Sequence, residues 1–168
     1  MTSKPVILYI MGVSGAGKTT VGERLGEQLK LPFYDGDDFH PEANVAKMRA
    51  GQPLNDADRQ GWLAAIHQFA QARLQEGQSA IIACSALKQA YRDRLSEGMA
   101  SQVRWIYLEA SYALIRKRLE QRRGHFMPPS LLPSQFASLE PPAAALRVDA
   151  AQPLPKILSY LQSELNLD

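Results

Sequence analysis

Three clusters in this sequence carry chemistry by residue type and spacing. The first is Gly12-Val13-Ser14-Gly15-Ala16-Gly17-Lys18-Thr19, followed by Thr20. It matches the pattern of a loop that wraps a nucleotide's phosphates. Glycines allow positive φ and close backbone approach to phosphate oxygens, and successive N–H groups form an anion-binding nest. A helix beginning at Lys18 would aim the positive end of its dipole at the same phosphates. Lys18 then reaches the β- and γ-phosphates, and the Thr19 hydroxyl is a ligand for Mg²⁺. ATP and Mg²⁺ are therefore the expected cofactors. The second cluster is Asp35-Gly36-Asp37-Asp38. One carboxylate of such a cluster can hold a metal-bound water while another accepts a proton from a hydroxyl. Aspartates are also common turn formers. The third is Arg116-Lys117-Arg118 through Arg122-Arg123, with Arg118 and Arg122 four apart on one helical face. Arginines brought to a transferring phosphoryl group neutralise its charge. The same residues also fit a solvated basic face near a helix C-terminus.

Isolated polar residues are less specific. His40, Arg59, Lys88, Arg92, His125 and Gln135 fall in loops or helix starts that follow strand-like segments. Lys88 and Arg92 also read as a solvated pair at helical spacing. Two absences narrow the chemistry. There is no Asn-Lys-x-Asp, the guanine-reading motif. The strand-like run ending Ala83-Cys84-Ser85 lacks the aspartate that commonly holds Mg²⁺ in ATPases, so the metal's carboxylate is expected from the Asp35-Gly36-Asp37-Asp38 cluster.

These groups need elements to hold them. Val6–Met11 is continuously apolar, as a strand buried on both faces should be. The run is too short for a signal peptide. A helix is expected from Lys18 to Lys30 and a short strand at Phe33–Asp35. Residues 36–55 read as loop-rich with a pair of helical turns around Asn44–Arg49, followed by a long helix over Asp56–Gln75. Strands at Ser79–Cys84 and Val103–Leu108 enclose a short helix at Gln89–Glu97. Ser111 caps a helix reaching Arg123. Residues 124–146 read as Pro-rich and irregular, with a last strand at Arg147–Asp149 and a closing helix over Leu154–Leu167. The β-α-β-α order predicts an α/β fold, a parallel sheet covered by helices on both faces. Ligands in such sheets bind beyond the carboxyl ends of the strands.

Bulk properties agree. The 168 residues fit one domain over 1–168, and 45% hydrophobic with 21% charged content is ordinary for a globular protein. A net charge of +2 gives no case for a nucleic-acid partner. Cys84 is the only cysteine, which excludes an internal disulfide and fits a cytoplasmic, reducing setting. No apolar run approaches the roughly 18 residues of a membrane span, so no membrane partner is expected.

Beyond the phosphate loop, longer stretches resemble a known family. They are Asp35-Gly-Asp37 with His40-Pro41, Lys47-Met48, and Gly51-Gln-Pro-Leu-Asn-Asp56-Ala-Asp58-Arg59 with Trp62-Leu63. Cys84-Ser-Ala-Leu-Lys88 with Tyr91-Arg92-Asp93, Ile106-Tyr-Leu108, Arg118-Leu119, Gly124-His-Phe126, Gln135-Phe136 and Leu139-Glu140 continue the likeness. Together they resemble the gluconate kinases of the thermoresistant type; the 35–59 run with Ser85–Lys88 is the specific part. The resemblance implies ATP-dependent phosphorylation of D-gluconate to 6-phospho-D-gluconate. It implies a three-layer α/β/α fold with a five-stranded parallel sheet, as in shikimate and nucleoside-monophosphate kinases. It also implies a mobile lid at about 118–135 and a homodimer. It suggests Asp37 as the residue that orients or deprotonates the acceptor hydroxyl, Asp35 in the metal's shell, Arg118 on adenine and Arg122 on phosphate. Arg59 becomes the first candidate for the substrate carboxylate. Lys88, Arg92, His40, His125 and Gln135 are candidates for further contacts. Pro128-Pro129 and Pro141-Pro142 depart from the family pattern. A shikimate-like or nucleotide kinase, and a non-catalytic nucleotide-binding regulator, are the alternatives.

Overall fold

The structure, a computed structural model, describes residues 4–121 and 132–166. Five strands form one sheet: β1 (Ile7–Met11), β2 (Phe33–Asp35), β3 (Ala80–Ala83), β4 (Val103–Glu109) and β5 (Leu146–Asp149). All pairings are parallel and the order is β2-β3-β1-β4-β5, so the expected five-stranded parallel sheet is present. Helices α1 (Lys18–Leu29), α2 (Glu42–Arg49), α3 (Asp56–Gln75), α4 (Gln89–Ser96), α5 (Tyr112–Gln121), α6 (Leu132–Ser138) and α7 (Leu154–Leu165) join them. None is long and apolar enough to cross a membrane among the described residues.

The sheet is central because its strands are apolar on both faces. Every β1 residue is fully buried, and successive side chains alternate between two cores. Leu8 and Ile10 pack with Val21 and Leu25 of α1, Ile115 of α5 and Leu161 of α7. Ile7, Tyr9 and Met11 pack with Trp62 and Ile66 of α3 and Leu95 of α4.

The helix starts carry local causes. Asn55 caps α3: its side chain accepts from Asp58 N while the Asp58 carboxylate accepts from Asn55 N, a reciprocal box. Ser111 Oγ accepts from Leu114 N, as expected of a cap on α5. The continuation of that helix to Arg123 lies outside the described residues, as does most of the 118–135 lid. The pair of helical turns expected around Asn44–Arg49 is α2, which starts two residues earlier at Glu42. Two features go beyond the sequence expectation. The loop-rich 36–55 segment also holds a 3₁₀ turn at Gly36–Phe39. The irregular 124–146 segment contains α6, whose Pro133 sits in the first turn, where a missing N–H costs nothing.

Candidate active site

The carboxyl ends of β1, β2 and β3 bring three segments together. Gly12 N donates to Ser85 O at 3.3 Å, linking the glycine loop to the segment after β3. Gly12, Gly15 and Gly17 have φ of 149°, 86° and 102°, values that favour glycine. A side chain at Gly12 would also meet Leu108 O at 2.9 Å. Gly17 ends this turn and α1 follows directly, as the phosphate-loop reading requires. Lys18 Nζ donates to Gly12 O (2.9 Å) and Val13 O (3.1 Å), which keeps the ammonium over the loop.

The acidic cluster stands opposite. Asp35, the last residue of β2, accepts the Thr19 hydroxyl on Oδ2 (3.4 Å) and Asp37 N on Oδ1 (2.9 Å). The turn presses against β3 so closely that a β-carbon at Gly36 would lie 2.3 Å from Ala83 O. Trp62 Nε1 donates to Gly36 O at 2.7 Å and pins the same turn from α3. Asp37 therefore sits in a walled recess, with 43% of its side chain still open to the cleft. Burial pushes its carboxyl up to about 6; Lys18 opposes this, and Asp35 and Asp38 add to it.

His40 stacks on Trp62 with ring centroids 4.1 Å apart. Its Nδ1 accepts from Asn44 Nδ2 at 3.2 Å, so Nε2 carries the proton and faces Asp37 Oδ1 at 3.9 Å. Burial, then the nearby Arg59 charge, lower its pKa to about 4, which leaves the ring neutral at neutral pH. The contact is therefore not an ion pair. Cys84, buried below the site, is pushed up to about 12 by desolvation and is no thiolate.

One cleft collects most of the residues singled out in the sequence: Ser14, Gly15, Gly17, Lys18 and Thr19 of the loop, then Asp35, Asp37, His40, Arg59 and Gln135. Gln135 is buried, and its Oε1 accepts from Ser14 N at 3.0 Å, anchoring α6 to the loop. Gly12 and the buried Val13 form the loop's root. Ala16, Thr20 and Arg118 line a second cleft behind the loop, with Ala150 and Leu154. Arg118 donates to Gly15 O and Ala16 O (3.2 Å each) and to Ala150 O (2.7 Å), so its guanidinium is held between the loop and the β5–α7 turn.

Two candidates are placed elsewhere. Arg92 is 2% exposed and its guanidinium donates to Ala86 O, Leu87 O, Gln89 Oε1 and Glu140 O. It ties two loops together through both Nη atoms, because a buried cation is costly without hydrogen bonds; only its Nε has no partner among the described residues. Lys88 pairs with Asp56 at 3.3 Å and lines a groove between α3 and α4 instead of the cleft. Arg122 and His125 lie outside the described residues. Conversely, Trp62, Met48, Leu54 and Ser134 line the cleft without having been singled out for it from residue type and spacing. Trp62 reads from its spacing as core, and its indole N–H is what connects that core to the site.

Similarity to known proteins agrees with this geometry. A protein-family model described as an AAA domain matches residues 7–142. A gluconokinase of Gluconobacter oxydans is 48% identical over 142 residues, covering 84% of this chain and 79% of that protein. The thermoresistant gluconokinase of Escherichia coli is 42% identical over 157 residues, covering 91% and 89%. The crystal structure of a gluconokinase from Sinorhizobium meliloti superposes with a TM-score of 0.82 at 40% identity, covering 97% of each chain. A shikimate kinase of Aquifex aeolicus, 17% identical with a TM-score of 0.61 over 96% of each chain, shares the fold. The chain belongs to the gluconokinase family of phosphate-loop kinases.

Proposed function

We propose that the chain transfers the γ-phosphoryl group of ATP to the terminal hydroxyl of D-gluconate, giving 6-phospho-D-gluconate and ADP. One observation carries the acceptor reading. Arg59 lines the phosphate-loop cleft, and no carboxylate of the described residues lies within ion-pair distance of it. Lys88 and Arg92 are consumed by protein partners. The cleft thus offers a cation to an acidic substrate.

The parts divide as follows. ATP lies with its phosphates over the loop and its adenine in the cleft walled by Arg118, Val21 and Ile157. Thr19 and Asp35 suit Mg²⁺, which usually keeps several waters and takes only one or two carboxylates beside substrate phosphates. Asp37 orients the hydroxyl or takes its proton as oxygen attacks phosphorus in line. Lys18 neutralises charge on the transferring group. His40 and Gln135 stand at the acceptor's hydroxyls, where unpaired polar groups would reject a wrong substrate.

A homodimer and a cytoplasmic location belong to the same proposal, supported by the family likeness; light scattering in solution tests the former. The activity is tested by ADP release with equal concentrations of gluconate, glucose, shikimate, AMP and CMP. Gluconate should lead by orders of magnitude. Faster turnover of shikimate or a nucleotide would overturn the acceptor and leave a kinase.

A further inference from the structure

We propose that Tyr91 is a positioning residue for acceptor recognition, holding Arg59 through a neutral tether so that one edge of its guanidinium stays open to the acceptor's carboxylate. This rests on the reading of Arg59 given above. Arg59 lies in the first turn of α3 and Tyr91 in the first turn of α4. Arg59 Nη1 donates to Leu54 O at 2.6 Å and to Tyr91 Oη at 3.2 Å. Its guanidinium carbon stands 5.4 Å from the centre of the Tyr91 ring. Tyr91 is 6% exposed, so its ring is packed on most sides.

The phenol is itself fixed. Its hydroxyl donates to Asp56 Oδ1, and Lys88 Nζ pairs with the same oxygen at 3.3 Å. Hydrogen bonds from Tyr91 and Lys88 hold the Asp56 carboxyl below its ordinary range. A phenol that donates to a carboxylate is a better acceptor for the guanidinium, because chained hydrogen bonds polarise one another. The Asp56 charge thus strengthens the hold on Arg59 without touching it.

This arrangement has a chemical consequence. A carboxylate bound directly to Arg59 would occupy its bidentate fork and compete with the substrate. Here both protein bonds use Nη1 and both acceptors are uncharged. The Nε and Nη2 hydrogens take no bond among the described residues. Orientation is fixed while the charge remains available.

The test is steady-state kinetics on the purified chain with ATP and D-gluconate. Tyr91→Phe keeps the ring and removes the tether. It should raise the gluconate KM on the order of tenfold, equivalent to about 1.4 kcal/mol, while kcat and the ATP KM stay within about twofold. Arg59→Ala should raise the gluconate KM further, and adding Tyr91→Phe to it should change nothing more. Independent, multiplying effects of the two substitutions would overturn the tether, as would a normal KM in Tyr91→Phe beside a raised one in Arg59→Ala. A normal KM in Arg59→Ala would instead overturn the reading of Arg59 and the tether with it. Should Tyr91→Phe fold poorly, Asp56→Asn asks the same question from an exposed position. It should raise the gluconate KM about threefold, again only when Arg59 is present; an unchanged KM would refute the proposal.

Discussion

Asp37→Asn should make the enzyme more stable and nearly inactive. Asparagine keeps the shape and cannot take a proton. The Asp37 carboxyl is raised from 3.8 to about 6, chiefly by burial. At about 1.36 kcal/mol per unit, the two units bound the cost of ionising it in the fold at about 3 kcal/mol. The side chain keeps 43% of its surface open, so solvent screening reduces this to about 1–1.5 kcal/mol. A raised folded pKa means that the folded state holds the proton more tightly. That contribution is complete below 3.8 and is lost as pH rises through about 6. Above this window the native protein carries a charge its fold disfavours, and the asparagine variant does not. In a domain of this size each kcal/mol moves Tm by about 2–4 °C. Thermal unfolding of the ligand-free protein at pH 8 should therefore give a gain of about 2–6 °C, shrinking toward zero as pH approaches 4. In parallel, kcat should fall about 100-fold, the lower part of the range for a general base because phosphoryl transfer is loose. A lower Tm at pH 8 would mean that Lys18 stabilises the carboxylate more than burial penalises it. Lost ATP affinity with unchanged kcat would make Asp37 a metal residue and refute its role toward the acceptor.

Two further substitutions separate site from scaffold. Lys18→Ala should reduce kcat by at least about 10³-fold with an unchanged circular dichroism spectrum, since Nζ is held by loop carbonyls at the cleft and not by the core. Arg92→Ala should do the opposite. It strands the Ala86, Leu87 and Glu140 carbonyls, at about 1 kcal/mol each, so Tm should fall by about 6–12 °C while the gluconate KM stays within about twofold; a raised KM with normal Tm would return Arg92 to the site.

The parts of this fold legible in the sequence are those where one local signal suffices. The apolar run at 6–11 and the glycine pattern after it define β1, the loop and the start of α1 without outside help. The α3 boundaries at Asp56 and Gln75 follow from an apolar stripe and Gly77. Helix α6 is obscured because proline reads as a breaker, although Pro133 occupies a position where it breaks nothing. Helix α2 is legible only as turns around 44–49 and its apolar stripe is broken, because its buried residues include Asn44, which faces inward to bond His40 Nδ1 and Asp58 O. A polar residue turned inward to serve a site leaves no periodic trace.

The cations show where sequence reasoning reaches its limit. Lys88 and Arg92 read as partners on one helical face, but α4 begins at Gln89 and Lys88 is its extended N-cap, with φ −102° and ψ 147°. One residue of offset removes the pairing. Lys88 turns to Asp56 on α3, while Arg92 turns inward to Glu140 O, 48 residues away. Arg59 belongs to the same residue type as Arg92 and has no local feature that marks it as different. What distinguishes them is the set of acceptors each meets after folding. Arg92 meets three backbone carbonyls and a glutamine in a buried crevice, and both of its Nη atoms are engaged. Arg59 meets one carbonyl and one phenol, both through Nη1, at the wall of an open cleft. Arg92 Nε also lacks a partner among the described residues, but it is buried and Arg92 does not line the cleft. A cation at this sheet edge can meet substrate only if tertiary packing leaves part of it unsatisfied and facing the cleft, and that remainder is a property of distant loops.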